Sequence, residues 1–217
     1  GSCTYSVSPA TPSFGASGGP GTVTLTTQAG CAWNATTGAS WVTIAGAGSG
    51  TGSGTIDYSV ATNPSASTRS GTIAVGGQVV TISQAAAPCT YTVTPSSIFV
   101  GSDAATGNFS IAATSGCSWN ATSNAAWLTM TSASGGSGNG TIAYSVGANP
   151  NTSSRTGAIS VGGQSFTVTQ AAVVCTLAIS PTASSPTAAG GAGTVSVTAN
   201  TGSCAWTAAS NASWLTV

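Results

Sequence analysis

Cys3, Cys89 and Cys175 stand 86 residues apart, and most of what is distinctive in the chain repeats with them. Cys31 returns as Cys117 and Cys204, Trp33 as Trp119 and Trp206, and Trp41 as Trp127 and Trp214. Asn63-Pro64 returns as Asn149-Pro150, Arg69 as Arg155, and Gln84-Ala85 as Gln170-Ala171. A fixed period marks an array of like units. This one is too long for a solenoid unit and suits a small autonomous domain of about 100 residues. The chain reads as two full beads, residues 1–88 and 89–174, and the first half of a third, residues 175–217. A half bead leaves an apolar sheet face and a strand edge in water. Either the sequence is a piece of a longer array, the reading we expect, or a strand-rich segment from a neighbouring chain completes the third bead. Gly1-Ser2, just ahead of the first cysteine, fits a cut piece.

Only Asp57, Arg69, Asp103 and Arg155 are charged, 2% of residues where an ordinary domain has roughly a quarter. Lys, Glu and His are absent. Nucleic acid is excluded as a partner, because neutralising phosphates needs a Lys/Arg footprint. Anionic membranes and acidic ligands fall on the same ground. No run approaches 18 apolar residues, so no transmembrane helix is expected.

Six cysteines, two per bead and 28, 28 and 29 residues apart within each pair, read as one disulfide per bead: Cys3–Cys31, Cys89–Cys117 and Cys175–Cys204. A zinc site would need closely spaced cysteines or histidine. Each closed loop is expected to stabilise its bead by roughly 3–4 kcal/mol, which reductant removes. Regular disulfides point to an oxidising location, secreted or on the cell surface.

Within bead one, Cys3, Tyr5 and Val7 alternate with polar residues. So do Val23 and Leu25, then Cys31, Trp33 and Ala35, then Ile56, Tyr58 and Val60. Ile73 and Val75 follow, with Val80 and Ile82 after the Gly76-Gly77 turn. Period two marks strands with one buried face. Six or seven such strands, broken by turn signals every 8–12 residues, predict an all-β fold: tandem antiparallel sandwiches, immunoglobulin-like in architecture. Bead two repeats the inward set through Tyr91, Val93, Phe109, Ile111, Trp119, Ile142, Tyr144, Val146, Ile159, Val161, Phe166 and Val168. Cys31 and Trp33 share a face, so the indole is expected beside the disulfide. Unlike an antibody disulfide, this one links the first strand to roughly the third.

These residues resemble the BACON domain, a small all-β module of secreted bacterial proteins. The resemblance rests on Cys31-Ala-Trp-Asn-Ala, Trp41-Val-Thr-Ile, Gly54-Thr-Ile-Asp-Tyr-Ser-Val, Asn63-Pro64, Arg69-Ser-Gly-Thr-Ile-Ala-Val and Thr81-Ile-Ser-Gln-Ala. Their counterparts begin at Cys117, Trp127, Gly140, Asn149, Arg155 and Thr167, and the half bead carries Cys204-Ala-Trp and Trp214-Leu-Thr-Val. The resemblance implies an association with carbohydrate and offers no catalytic motif. A tandem array with no enzyme attached favours a structural role instead.

The residue inventory argues against catalysis. General acid–base work needs a titratable group tuned near neutrality. The place of Asp57 is Ala143 in bead two, and that of Asp103 is Ser17 in bead one, so no carboxylate pair recurs. The serines have no His or Lys to activate them. Two scattered aspartates make a strong calcium site improbable. No metal and no cofactor are expected. Trp33, Trp119 and Trp206 read as core. Trp41, Trp127 and Trp214 follow polar turns, and read either as core or as exposed platforms on which a sugar stacks. Arg69 and Arg155 each follow an Asn-Pro turn, and their donors are expected on loop carbonyls. Asn-x-Ser/Thr sequons stand at Asn34, Asn108, Asn120, Asn139, Asn151 and Asn211.

The expected function is a non-catalytic extracellular structural repeat: a filament, stalk or adhesin shaft. Its partners are other copies of itself or neighbouring repeats, since near-zero net charge promotes association. Absent Lys and sparse Arg also deny trypsin-like proteases their sites. The short linkers Ala85-Ala86-Ala87-Pro88 and Ala171-Ala172-Val173-Val174 contain no glycine, which predicts a stiff rod. With so few titratable groups, stability is expected to be flat between pH 4 and 8. The alternative is a carbohydrate-binding array that uses its exposed tryptophans on a polysaccharide.

Overall fold

Polar–apolar alternation is followed by the chain almost residue for residue in a computed structural model, which describes all 217 residues as strands, turns and loops without a helix. No helix in it is long and apolar enough to cross a membrane. The first nine strands are β1 (Ser6–Ser8), β2 (Ser13–Phe14), β3 (Gly19–Thr26), β4 (Ala32–Thr37), β5 (Val42–Ala45), β6 (Ser49–Thr51), β7 (Gly54–Val60), β8 (Arg69–Val75) and β9 (Gln78–Gln84). They form two sheets, in the orders β1-β3-β7-β5 and β2-β9-β8-β4-β6. Inward positions such as Val23, Leu25, Ile56, Ile73, Val80 and Ile82 are fully buried, while the threonines and serines between them face water.

The next nine strands repeat the plan: β10 (Tyr91–Thr94), β11 (Ser97–Val100), β12 (Ala105–Ala113), β13 (Ser118–Ser123), β14 (Leu128–Met130), β15 (Gly135–Ser137), β16 (Gly140–Val146), β17 (Arg155–Val161) and β18 (Gln164–Gln170). Their sheets run β10-β12-β16-β14 and β11-β18-β17-β13-β15, the same orders shifted by nine. Proximity alone parts the chain differently. It groups Gly1–Thr92 with Ala112–Trp119 and Gly136–Gly140, and the remaining residues together. That division cuts β12 between Ile111 and Ala112 and β13 between Trp119 and Asn120, whereas the strand ladders keep each repeat together.

Each bead has nine strands rather than six or seven. The additional ones are short: Ser13-Phe14 and Ser49–Thr51 are too brief, and too rich in Gly and Ser, to show alternation. They matter to topology. β2 pairs parallel with β9 (Ser13↔Ser83, Phe14↔Gln84), and β11 pairs parallel with β18, so one edge of each otherwise antiparallel sandwich is parallel. The first segment therefore serves both sheets, β1 in one and β2 in the other, with the cis Ser8-Pro9 bond between them. Cys3 precedes β1, and Cys31 immediately precedes β4.

Large rings fill the core, and a glycine faces each buried tryptophan and tyrosine. Trp33 is paired in register with Gly50, and Tyr58 with Gly21. A Cβ on Gly50 would lie 2.6 Å from the Trp33 ring, and one on Gly21 would lie 2.4 Å from the Tyr58 ring. Bead two has the same lodgings: Gly136 and Gly140 against Trp119, and Gly107 against Tyr144. The indole nitrogens are satisfied as well, Trp33 Nε1 donating to the Gly52 carbonyl at 2.9 Å and Trp119 Nε1 to Gly138 at 2.8 Å. Other rings change place between beads. Phe14 meets Tyr58 edge-on at 5.9 Å, whereas in bead two Phe109 stacks on Phe166 at 4.5 Å. Val23 and Val80 stand where bead two has those two phenylalanines, and Phe14 where it has Val100, so the apolar pattern is kept while the rings change position.

Three disulfides join Cys3–Cys31, Cys89–Cys117 and Cys175–Cys204, and no cysteine is free. The last segment forms only β19 (Leu177–Ser180) and β20 (Ser196–Ala199), a two-stranded sheet. Leu177, Ile179 and Val195 are about half exposed, and Trp206 is 51% exposed. Trp206 thus departs from the core position of Trp33 and Trp119. The strands that cover its counterparts have no equivalent within the 217 residues.

Gly140→Ala puts a methyl 2.4 Å from the Trp119 ring, and overpacking of this kind costs about 1–3 kcal/mol. Calorimetry on this variant is expected to show one thermal transition falling by several degrees. An unchanged Tm would show that the ring has room to move.

Candidate functional site

Arg69, the first residue of β8, lays its guanidinium over the Trp41 ring, 4.4 Å from the ring centroid. Its Nε donates to Gln84 Oε1 at 2.8 Å, and its Nη2 donates to the carbonyls of Ala61 and Thr62 at 2.8 and 3.0 Å. Gln84, at the end of β9, is 1% exposed. Its Nε2 lies within 3.0–3.2 Å of the carbonyls of Gly15, Ala16 and Ala61. Beside it, buried Asn63 donates through Nδ2 to the carbonyls of Ser67 and Ala85, at 2.8 and 2.9 Å. A planar fork with five donors suits this role, since one side chain can serve carbonyls from several loops at once and still stack on a ring.

The cluster is built twice. Arg155 lies 4.3 Å from the Trp127 ring centroid, donates to Gln170 Oε1 at 2.8 Å, and reaches the carbonyls of Gly147 and Ala148. Gln170 Nε2 meets the carbonyls of Ser102, Asp103 and Gly147, and Asn149 holds those of Ser153 and Ala171. Burial lowers the Arg155 guanidinium from its ordinary value, though a guanidinium stays charged in proteins. No buried side-chain nitrogen or oxygen lacks a partner.

Comparison with known families agrees with this repeated build. Residues 90–176 and 176–217 match the model described as "Viral BACON domain", and residues 32–85 match the BACON model, described as "Putative binding domain, N-terminal". The chain belongs to the BACON domain family. No curated protein matches it. Among solved structures, a Bacteroides ovatus GH5 xyloglucanase in complex with a XXXG heptasaccharide is similar over 39% of this chain and 19% of its own, at 16% identity and a TM-score of 0.34. The Yersinia pseudotuberculosis adhesin InvE is similar over 79% and 59%, at 13% identity and a TM-score of 0.35. The I9-I11 tandem of titin is similar over 80% and 68%, at 8% identity and a TM-score of 0.31. The chain thus spans a minor part of the xyloglucanase and little more than half of the adhesin.

In both BACON beads the second tryptophan is committed internally. One face of Trp41 carries Arg69, and its ring edge lies over Gly71, where a Cβ would come within 2.8 Å. Trp127 is held the same way by Arg155 and Gly157. Both are half-buried. What remains of Trp41 lines a shallow groove with Ser40, Ser70 and Thr72. Trp214 has no such partners and is 79% exposed. Trp33 and Trp119 are buried against their glycines.

The titratable residues stay apart. Asp57, outward on β7, accepts from Thr22 Oγ1 at 2.8 Å, and Asp103 lies in the loop before β12. The residues that complete the clasp, Gln84, Gln170, Asn63 and Asn149, are visible in the sequence only as repeated dipeptides. A repeated amide with no charge to pair with is the signal of a buried acceptor–donor hub.

Gln170→Ala strands the Arg155 Nε and three carbonyls, and each buried group left unpaired costs about 1–3 kcal/mol. The transition of bead two is expected to fall well below that of bead one by calorimetry. Arg155→Lys should restore little of an Arg155→Ala loss, because an ammonium cannot reproduce the fork. A lysine variant as stable as the parent would reduce the clasp to a point charge.

Burial raises the Tyr58 and Tyr144 phenols above their ordinary value of 10.0. A raised phenol holds its proton more tightly folded than unfolded. Its contribution is complete below the unfolded value and is lost as pH climbs beyond it. The Tm is expected to drop above about pH 10, and to drop less in Tyr58→Phe/Tyr144→Phe. An equal alkaline loss in that double variant would place the cause elsewhere.

Proposed function

We propose that the chain is a non-catalytic extracellular structural protein, a filament, stalk or adhesin shaft built of BACON beads at residues 1–88 and 89–174 and the first half of a third at 175–217. One observation carries this reading above the carbohydrate-binding one. The two tryptophans best placed as sugar platforms spend a ring face on an arginine of their own bead, at 4.4 and 4.3 Å. That leaves each ring half-buried, with less open surface on which a sugar could stack. The outward faces are Ser, Thr, Asn and Ala with almost no charge, which favours packing against other copies of the chain. Disulfides in every unit support an oxidising, extracellular location. The residue inventory, without His, Lys or Glu, supports a role without catalysis.

The short linkers 85–88 and 171–174, free of glycine, support stiffness between beads. Small-angle scattering is expected to give an elongated, narrow particle, and a compact or broadly distributed one defeats the shaft. A glycan array separates the rival. No retained polysaccharide is expected, whereas binding lost in Trp127→Ala with folding intact would establish a carbohydrate-binding module.

A further inference from the structure

Tension along such a chain would enter and leave each bead at particular residues, and the strand order fixes which. The Cys3–Cys31 bond encloses β1, β2 and β3 in a 28-residue loop. A pull on the N-terminal side therefore passes through sulfur from Cys3 to Cys31, at the start of β4. It leaves at Ala85, after β9. In the order β2-β9-β8-β4-β6, both β4 and β9 are antiparallel to β8, so they run in the same direction. Val75 faces Gln78 at the start of β9 and Ala35 in mid-β4, so Cys31 and the start of β4 lie beyond that end of the ladder, while Gln84 faces Arg69 at the far end. The two points of attachment thus lie at opposite ends of the sheet, about 20 Å apart along β9 at roughly 3.3 Å per residue. The ladders between them are loaded in shear, with many hydrogen bonds strained at once and none peeled singly.

The exit point is also where the clasp sits. Gln84 is held by Arg69 and by the carbonyls of Gly15, Ala16 and Ala61, and the Ala85 carbonyl is held by Asn63. Gln170 and Ala171 are held in the same way in bead two.

We infer that each BACON bead is built to carry tension along the chain: the disulfide routes the pull past the first three strands, and the Arg–Gln–Asn clasp anchors the strand by which the pull leaves. This rests on the shaft reading and adds to it a mechanical function with two named attachment points.

Single-molecule force spectroscopy on the full chain, held at its termini, tests it. Reduction is expected to lengthen each bead's unfolding step by the 28 hidden residues, about 100 Å at ~3.6 Å per residue. Equal steps before and after reduction would overturn the bypass. Under a fixed pull, Gln84→Ala/Gln170→Ala is expected to shorten bead lifetimes at least tenfold more than it does without force. Ile56→Ala/Ile142→Ala, on strands in the other sheet and off the tension path, should shorten them by the same factor with and without force. If the glutamine variant also behaves alike in both conditions, the clasp is a stability element only and the anchor is refuted. The step-length comparison needs no variant and still decides if the glutamine variant does not fold. A polysaccharide captured through Trp127 defeats the shaft reading and leaves these measurements standing. The outcomes named here defeat the tension path and leave the shaft standing.

Discussion

The indole of Trp33 rests where the strand beside it offers only hydrogen, and the bead is organised around that contact. A sandwich of 86 residues has little volume to bury, so its stability depends on a few large rings seated without voids. A ring lying flat across a neighbouring strand needs a position there without a Cβ. Gly50 and Gly54 supply it for Trp33, Gly21 for Tyr58, and Gly71 for Trp41. Glycine in a strand otherwise weakens it, and here the covering ring offsets that weakness. The same pairing accounts for several of the chain's 30 glycines, which sit inside strands and not in flexible linkers.

Around this core the chain solves a second problem with amides. Loops at the end of a sandwich carry carbonyls that strand ladders cannot satisfy, and most proteins meet them with water or with a spread of charged side chains. Each bead uses one glutamine, one asparagine and one arginine. The arginine is the only cation present, and it has no carboxylate partner. Its counterparts are carbonyl dipoles, Gln84 Oε1 and a tryptophan face, which avoids the desolvation of a second ion. The cluster joins the segments at residues 15–16, 61–63, 67, 69 and 84–85, so elements far apart in sequence are fixed by three side chains.

The period-two alternation made the strands from Val23 to Ile82 legible, because a half-buried sheet has no other way to write its two faces. The disulfide pairing was legible from spacing alone. Residues 13–14 and 49–51 were not, since two or three residues cannot display a period, and the parallel edge that β2 makes with β9 has no local mark. Arg69 and Arg155 could be given carbonyl partners from their isolation among uncharged residues, yet their stacking on Trp41 and Trp127 depends on a contact made in three dimensions. The half-exposed Trp206 shows the limit from the other side. Its local sequence matches Trp33 and Trp119, and its environment differs only because strands further along the chain have no equivalent there.

One consequence of the strand order concerns proteolysis. The chain contains two bonds that a trypsin-like enzyme could cut, Arg69–Ser70 and Arg155–Thr156. Both sit at the start of a central strand, where Ser70 and Thr156 are already paired in register with Ser83 and Thr169, and the ladder to the other neighbour begins at Ile73 and Ile159. A protease must draw several residues into an extended, isolated segment before it can cleave, and a central strand yields that segment only when the bead opens. Each bead therefore contains a single latent cut that becomes available through unfolding itself. Digestion of the native chain then measures how often a bead opens, and a fibre of such beads would be trimmed only at units that had already failed.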